Sequence, residues 1–384
     1  MPAPPAAESA VPVAVETPLG TPDKQTKIQI RQPGLDLLRA IAIGSVVIFH
    51  SGGFGFKLPH DWHRFGWAGV DLFFVLSGYL IGGQLWAELQ ARKSIRFGRF
   101  YARRALRILP AYLVILTIYF CFPMWREQAV ISPLWKYVVS IQNLDLHAGT
   151  AFSHAWSLAV EDQFYLVLPG LLFLLFRSPR LALVVPWFIL AGGLVLRASL
   201  VKWKTDAAGH LSDHDFMTWI YYPTWTRLDS LVLGVVLAAI ERHRSAWWRT
   251  LMGGANWLWL PALAAVAGGL YLSEAKLTLV SCVWSFPLIA FGMALFLVCS
   301  VSPRLPFQRM QVPGVAFLSM ISYSVYLSHK LVVHLVAGLC SQYSIPPTSF
   351  GALLTLYVLV CVCGTALFFA VERPFLQLRN RIAA

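Results

Sequence analysis

The residues that could carry chemistry in this sequence are ionisable side chains inside otherwise apolar stretches. Ten stand out: Arg39, His50, Asp71, Glu161, Asp162, Arg227, Asp229, His329, Lys330 and His334. Each costs at least about 2.5 to 3.5 kcal/mol at the centre of a bilayer, so each is by default a hypothesis of function. No Walker loop, dinucleotide fingerprint, zinc-protease helix or serine-hydrolase elbow stands in a suitable context, which argues against an ATP-driven pump or a metal-dependent hydrolase.

Arg39 and His50 occupy the same face of one predicted helix. They are eleven residues apart, which places their side chains about 20° apart around the helix and about 16 Å apart along it. The helix therefore offers a fixed cation near one membrane surface and, towards the other, an imidazole that can act as a base at neutral pH. The alternative is that Arg39 reaches lipid phosphates and His50 is an interfacial histidine.

Seven cations precede the third apolar stretch, in the segment from residue 92 to residue 110. Arg104 and Arg107 are three residues apart and share a helical face. Because guanidinium groups bind phosphate oxygens through two parallel hydrogen bonds, the segment predicts a phosphorylated, anionic ligand on the cytoplasmic side. Anchoring to acidic lipids explains the same charges equally well.

Acidic residues and a second histidine complete the set of candidates. Asp71 lies in the second apolar stretch at the predicted depth of His50, and a carboxylate there needs a cation or a histidine as its partner. Glu161 and Asp162 lie at the outer entry of the fourth stretch, where they could orient an imidazole, bind sugar hydroxyls or cap the helix at the interface. For His329, in the ninth stretch, a satisfied structural role is the simpler interpretation.

The composition indicates that a bilayer surrounds these residues. Of the 384 residues, 57% are hydrophobic and only 13% are charged, and the mean hydropathy is +0.62. A soluble domain carries roughly 25% charged residues, whereas apolar runs of about 20 residues are typical of membrane-spanning helices. A transmembrane β-barrel would instead alternate apolar and polar residues over segments of about 10 residues. We therefore predict an all-α, polytopic integral membrane protein, which excludes a water-soluble enzyme.

Ten apolar stretches define the predicted transmembrane helices. They lie near residues 35–54, 66–89, 108–123, 156–176, 181–200, 219–240, 252–272, 277–300, 314–337 and 351–371. With the N-terminus inside, the cytoplasmic segments hold twenty Lys and Arg residues and the outer segments seven, so both termini are expected in the cytoplasm. Residues 1–30, rich in proline and alanine, are expected to be a disordered cytoplasmic tail, and residues 31–384 to be the membrane domain.

Membrane topology also explains the net charge of +13. Positive residues gather in cytoplasmic loops and contact acidic lipids, and no basic patch with interleaved aromatic residues indicates a nucleic-acid partner. The six cysteines show neither a C-x-x-C pair nor the spacing of metal ligands, so no metal site is predicted.

Six blocks of the sequence carry a family resemblance. They are residues 35–50 (L-D-x-L-R-A with R-x10-H), 69–81 (G-V-D-L-F-F-V-L-S-G-Y-L-I), 103–110 (R-R-x-x-R-I-x-P), 156–165 (W-S-L-x-x-E-x-Q-F-Y), 323–329 (Y-S-x-Y-L-x-H) and 372–374 (E-R-P). In this order they resemble membrane-bound acyltransferase family 3, polytopic enzymes that acylate bacterial surface glycans and some small molecules. Leu37 replaces the glycine that is usual in the first block, and Asp162 stands where a second glutamate is common.

The resemblance implies a reaction and a set of roles. An acyl-CoA, usually acetyl-CoA, would be the co-substrate, and no permanently bound cofactor is expected. His50 would act as a general base, and an acyl-histidine intermediate is the alternative mechanism. The implied site comprises catalytic His50, Glu161 and Asp71, donor-binding Arg39, Arg103, Arg104 and Arg107, and acceptor-binding or supporting Asp36, Ser77, Tyr79, Asp162 and His329.

The resemblance also implies an acceptor and a location. The acceptor would be a hydroxyl of an envelope or exported carbohydrate, such as lipopolysaccharide, another polysaccharide or a lipid-linked glycan, at the bacterial cytoplasmic (inner) membrane. A small molecule such as a macrolide is an alternative acceptor.

Two alternatives to an enzyme remain. One is a secondary transporter, although the two halves show no convincing repeat. The other is a non-catalytic partner in glycan export, which would not need a buried base. The soluble esterase-like domain that some relatives carry is not expected in this sequence, so any handling of a long polymer is expected to rely on the membrane part alone.

Overall fold

The structure, a computed structural model, describes residues 32–206, 210–275, 277–310 and 312–383. These ranges are predominantly helical and contain no β-strand beyond one isolated bridge between Val130 and Thr150. Nine helices within them are long and apolar enough to cross a membrane, which confirms the prediction of an all-α, polytopic membrane protein. The predicted tail, residues 1–30, lies outside the described residues, as do four of the cations used in the orientation argument.

Eleven helices in the described part of the chain form the frame of the membrane domain. They are α1 (Pro33–Gly52), α2 (Gly69–Arg92), α3 (Phe97–Cys121), α4 (Trp156–Arg177), α5 (Pro179–Lys204), α6 (Asp229–His243), α7 (Ser245–Glu274), α8 (Leu279–Val301), α9 (Val315–Gln342), α10 (Phe350–Leu367) and α11 (Arg373–Ala383). A 3-10 helix, Pro59–Ala68, leads into α2, and short helical turns, among them Ser153–Ala155, connect α3 to α4.

Most of the basic segment before the third predicted span is helical; only residues 93–96, with Lys93 and Arg96, form a loop. The part from Phe97 onward forms the first turns of α3. Arginine, alanine and leucine have high helix propensity, and they dominate this stretch. As a result Arg103, Arg104 and Arg107 are held on a rigid helix.

The sixth predicted span, residues 219–240, is interrupted instead of forming one helix. A π-helical turn, Phe216–Tyr221, ends before Pro223, and α6 begins only at Asp229. Proline has no N–H to donate to a continuing helix, and the Pro223 backbone is extended at ψ 142°. Irregular backbone at membrane depth is tolerated where protein surrounds it, and Thr226 and Arg227 are buried accordingly.

Helices α2 and α6 approach each other closely through glycine. A Cβ atom added to Gly78 would lie 2.1 Å from the Leu231 carbonyl oxygen, and one added to Gly234 would lie 2.3 Å from that of Val75. Such small residues let helix backbones pack at short range in a bilayer. This contact holds the interrupted segment against α2, which carries three of the predicted site residues, Asp71, Ser77 and Tyr79.

Candidate active site

His50 and His329 form a hydrogen-bonded pair between α1 and α9. The distance from His50 Nδ1 to His329 Nε2 is 2.9 Å. On its other side, His329 Nδ1 lies 2.7 Å from the Tyr326 carbonyl oxygen and 3.2 Å from that of Val325. His329 is fully buried, and its pairing with His50 was not predicted from the sequence.

The backbone carbonyls determine which nitrogen atoms carry protons. A carbonyl oxygen only accepts hydrogen bonds, so Nδ1 of His329 must carry the proton of that ring. Its Nε2 is then an acceptor, and Nδ1 of His50 is the donor across the 2.9 Å contact. The remaining nitrogen of His50, Nε2, keeps a free lone pair in this state. The pair is therefore arranged as a base whose tautomer is set by a neighbour.

A third histidine, His154, completes a cluster. Its ring centroid lies 6.1 Å from that of His50 and 5.0 Å from that of His329. Its Nε2 lies 3.3 Å from the Leu327 carbonyl oxygen, and its buried Nδ1 has no hydrogen-bond partner. His154 was not among the predicted site residues, because it lies just outside a predicted span; its position at the outer start of the fourth span was the available signal.

A buried ion pair lies next to the histidine cluster. Lys330 Nζ lies 3.0 Å from Glu127 Oε1 and 3.0 Å from Ser153 Oγ, and both charged side chains are buried. Burial alone would raise the pKa of Glu127, but the Lys330 ammonium and hydrogen bonds outweigh it, and the pKa lies below its ordinary value. Glu127 is therefore ionised at neutral pH, and it lies in the loop that follows α3.

The histidine cluster faces a cavity at the end of the bundle predicted to be outside. Its volume is about 390 Å³. An ion pair between Arg64 and Glu274 lies on its wall, and both side chains are partly exposed. The other lining residues combine aromatic rings with hydroxyl groups; among them are His50, His154, Ser153, Trp67, Trp156, Tyr221, Tyr222, Phe286, Ser281 and Ser285.

The two carboxylates expected to hold His50 have other partners. Asp71 is paired with Arg227 at 2.9 Å and accepts a hydrogen bond from Ser230. Glu161 accepts hydrogen bonds from Ser77 at 3.0 Å and from Tyr165 at 2.9 Å. The hydrogen-bond partner of His50 is a second imidazole rather than a carboxylate. A buried arginine on the interrupted segment outcompetes a neutral imidazole for Asp71, because opposite charges attract strongly in a low-dielectric interior.

The four predicted donor-binding arginines lie together towards the end predicted to be cytoplasmic. Arg39 interacts electrostatically with Arg107, and Arg104 with Arg103 and Arg107. Arg104 also donates a hydrogen bond to Gln84, while its buried Nε atom has no partner. Guanidinium groups this close together repel one another, and a bound anion such as a phosphate would relieve that repulsion.

A fifth arginine, Arg379, joins this group. It lies on α11 and interacts electrostatically with Arg104. From the sequence, Arg379 was expected only to contribute to membrane topology. Its place a few residues after the E-R-P block was the available signal of a role near the other arginines. The chain therefore supplies the cationic group from three helices, α1, α3 and α11.

The predicted supporting residues lie in several different contacts. Asp36 accepts a hydrogen bond from Ser319 at 2.7 Å and pairs with Arg39 at 3.5 Å. Tyr79 donates to Glu241, and Asp162 accepts from Ser140. Asp36 and Ser77 thus connect with the predicted site, through Arg39 and Glu161 respectively, whereas the direct partners of Tyr79 and Asp162 lie outside it.

In the described part of the chain, no group of three or more His, Cys, Asp or Glu side chains is placed to hold a metal ion.

Comparison with known proteins identifies the family. The family model described as "Acyltransferase domain" matches residues 32–372. The chain therefore belongs to this family, acyltransferase family 3, and the prediction of an acyltransferase is confirmed at that level.

Curated relatives agree with this assignment. The chain is 32% identical over 223 residues to the O-acetyltransferase OatA of Staphylococcus aureus strain NCTC 8325 / PS 47 and, equally, to that of strain COL. In both cases the match covers 54% of this chain but only 34% of the relative, so the chain matches about a third of those proteins. No solved structure matches the chain.

Proposed function

We propose that this protein is a membrane O-acyltransferase that moves an acyl group, preferably acetyl, from cytoplasmic acyl-CoA to a hydroxyl of an envelope or exported carbohydrate. The observation that carries the proposal is the chain of hydrogen bonds from the Tyr326 carbonyl through His329 to His50 at the wall of the outer cavity. A partly buried imidazole that keeps one free lone pair and lines an open cavity is suited to activate a hydroxyl nucleophile.

The arginine group supports acyl-CoA as the donor. The phosphates of a CoA molecule would bind Arg39, Arg104 and their neighbours at the cytoplasmic end, because clustered guanidinium groups suit phosphate oxygens. The pantetheine arm would then extend through the bundle towards His50. The separation of about 16 Å along α1 between Arg39 and His50 is well within the reach of an extended pantetheine arm.

The transfer step follows from the tautomer of His50. The acceptor hydroxyl attacks the thioester carbonyl carbon while His50 Nε2 takes its proton, and the carbonyl oxygen becomes an oxyanion. The tetrahedral intermediate then expels the thiolate, which takes the proton back from His50, so the products are an O-acyl ester and CoA thiol. His329 accepts a hydrogen bond from Nδ1 of the imidazolium throughout. Attack by Nε2 itself to give an acyl-histidine is the alternative route, and it needs the same lone pair.

The lining of the outer cavity supports a carbohydrate acceptor. Rings such as Trp67, Trp156 and Tyr221 offer flat apolar surfaces for the C–H faces of a sugar, and Ser281 and Ser285 offer hydroxyl groups. Sites that combine aromatic faces with a few polar groups hold amphipathic ligands in a fixed orientation. A hydroxylated small molecule of similar size is the alternative acceptor.

Transport is the second candidate function, because secondary transporters also contain interrupted membrane helices like the one before α6. In transporters such breaks expose half-helix ends to the substrate. Here both charged residues at the break have partners on neighbouring helices: Arg227 pairs with Asp71 of α2, and Asp229 pairs with Arg197 of α5 at 2.7 Å. This pairing favours a structural role for the break and leaves transfer as the better-supported function.

The proposal is tested with acetyl-CoA labelled in its acetyl group. Isolated membranes containing the wild type or His50→Ala at matched levels are incubated with the labelled donor and with envelope material as acceptor. We expect label transfer by the wild type, none by His50→Ala, and wild-type transfer by His334→Ala, whose histidine lies on α9 beside Phe54 and outside the cluster. Equal transfer by the wild type and His50→Ala would contradict the proposal.

A further inference from the structure

A residue with a strained backbone conformation lies directly beside the histidine cluster. Phe152, the residue before Ser153, adopts the left-handed conformation with φ 57° and ψ 23°. For a bulky residue other than glycine this conformation is unfavourable, and it persists only where the surrounding structure imposes it. Such outliers concentrate at functional sites, so the segment from Phe152 to His154 calls for a functional explanation.

Aromatic packing and one hydrogen bond hold Phe152 in this conformation. Its buried ring stacks on Tyr119 at 4.5 Å and on Tyr137 at 5.6 Å. Its backbone N–H donates to Glu127 Oε1 at 3.0 Å. The same carboxylate pairs with Lys330, so one buried ion pair and one aromatic stack together determine where the next residue, Ser153, is placed.

The hydroxyl proton of Ser153 is left available to the cavity. The Lys330 ammonium has protons but no lone pair, so in the 3.0 Å contact Lys330 donates and Ser153 Oγ accepts. Ser153 itself lines the cavity together with His50 and His154. Among the residues that the structure describes, no protein atom accepts the Ser153 proton. A hydroxyl that accepts from a cation is also a stronger donor, because hydrogen bonds in a chain polarise one another.

We propose that the Ser153 hydroxyl donates a hydrogen bond to the carbonyl oxygen of the acyl group as that oxygen becomes an oxyanion. The proposal rests on the acyl-transfer function above and assigns a donor for the oxyanion that this reaction forms. When the acceptor oxygen bonds to the carbonyl carbon, the carbonyl electron pair moves to oxygen, and Ser153 stabilises that charge. When the carbon–sulfur bond breaks, the carbonyl re-forms and CoA leaves as the thiol. Ser153 transfers no proton and is unchanged.

Lys330 and Glu127 act through Ser153 as positioning residues. Lys330 polarises the hydroxyl, and Glu127 neutralises Lys330 while fixing the Phe152 backbone. A preorganised donor aimed at developing charge costs no reorganisation during the reaction, and removing one such donor lowers kcat by about 100- to 1,000-fold. The carbonyl of the bound substrate carries much less charge, so binding of acyl-CoA should change little.

The experiment measures kcat and KM for acetyl-CoA with purified full-length protein. Ser153→Ala should lower kcat by about 100- to 1,000-fold while KM for acetyl-CoA changes by less than about threefold. Ser153→Thr, which keeps the hydroxyl, should retain kcat to within about tenfold. Ser178→Ala serves as the matched control, because Ser178 makes no side-chain capping hydrogen bond at the start of α5 and should match the wild type. If Ser153→Ala does not fold, Ser153→Cys replaces it, and its weaker thiol donor should lower kcat by at least about tenfold.

A second pair of variants separates a chemical role from a structural one. If Lys330 acts through Ser153, Lys330→Met should lower kcat, and Ser153→Ala/Lys330→Met should be no slower than the slower single variant. Multiplicative losses in kcat, or an unchanged kcat for Ser153→Ala, would overturn the proposal. Failure of the underlying function looks different, because the wild type would then transfer no label or His50→Ala would transfer as much as the wild type.

Discussion

Replacement of His329 isolates the contribution of the histidine pair to catalysis. In the resting state, the 2.9 Å contact holds His50 in the tautomer with Nε2 unprotonated. In the transition state His50 becomes an imidazolium, and Nδ1 donates a charge-assisted hydrogen bond to His329 Nε2. Hydrogen bonds to charged groups contribute about 1.5 to 3 kcal/mol. Because each 1.36 kcal/mol is a factor of ten in rate, His329→Leu should lower kcat by about 10- to 150-fold.

The assay compares initial rates of label transfer from acetyl-CoA for folded, purified variants. His329→Gln keeps a hydrogen-bond acceptor on the side chain and should recover part of the lost rate. His334→Leu is the matched control, since it removes a histidine from the same helix without touching the cluster. An unchanged kcat for His329→Leu would refute the reasoning, because His329 would then only fill space. A loss as complete as that of His50→Ala would also contradict it, since it would make His329 itself the base.

Three further predictions concern the donor site and two buried ion pairs. Arg104→Ala should raise KM for acetyl-CoA at least tenfold with a smaller change in kcat; an unchanged dependence on acetyl-CoA concentration would count against a phosphate contact. Asp71→Asn should lower the free energy of unfolding by about 3 to 5 kcal/mol, because it leaves the buried Arg227 unpaired; thermal unfolding in detergent measures this, and wild-type stability with lost transfer would instead place Asp71 at the chemistry. The pKa of Glu127 is lowered in the folded state, so its ionised form stabilises the fold fully above the ordinary glutamate pKa of 4.5, and this contribution is lost as pH falls through the lowered value. Wild type should therefore exceed Glu127→Gln in stability by a constant amount from pH 5 to 8 and lose that advantage below it; an advantage that grows on acidification would mean that the pair is not ionised.

Most of the frame could be predicted because membrane helices follow from local composition. Nine of the ten predicted spans correspond to helices of sufficient length and hydropathy. The exception, residues 219–240, is apolar enough to resemble a span, but Pro223 and the buried Arg227 give it a different backbone. A hydropathy pattern cannot distinguish a continuous helix from one broken by proline and held by ion pairs.

The site could be predicted in part, and the limit lies in long-range pairing. Helical periodicity places Arg39 and His50 on one face of α1, and the arginines cluster as their local pattern indicates. The partner of His50 is 279 residues away in the sequence, and a single sequence carries no information that pairs α1 with α9 rather than α2. For the same reason Asp71 was associated with His50 by depth alone, whereas the fold brings a stronger partner, Arg227, to it.

His154 and Glu127 illustrate a second limit. Both lie outside the predicted spans, in the connection between α3 and α4, and both are buried. Loops usually run over the surface, so a sequence-based search for buried ionisable groups concentrates on the spans and passes over them. Here the connection folds back into the bundle: Phe152 is buried, and Ser153 and His154 become part of the cavity wall.

The most direct test of the central claim is mass spectrometry of envelope glycans from cells that carry the wild type or His50→Ala at matched membrane levels. The account predicts an acetyl ester on a glycan from wild-type cells and its absence from cells with His50→Ala. The same ester at the same level in both strains would contradict the assignment of His50 as the base for acyl transfer.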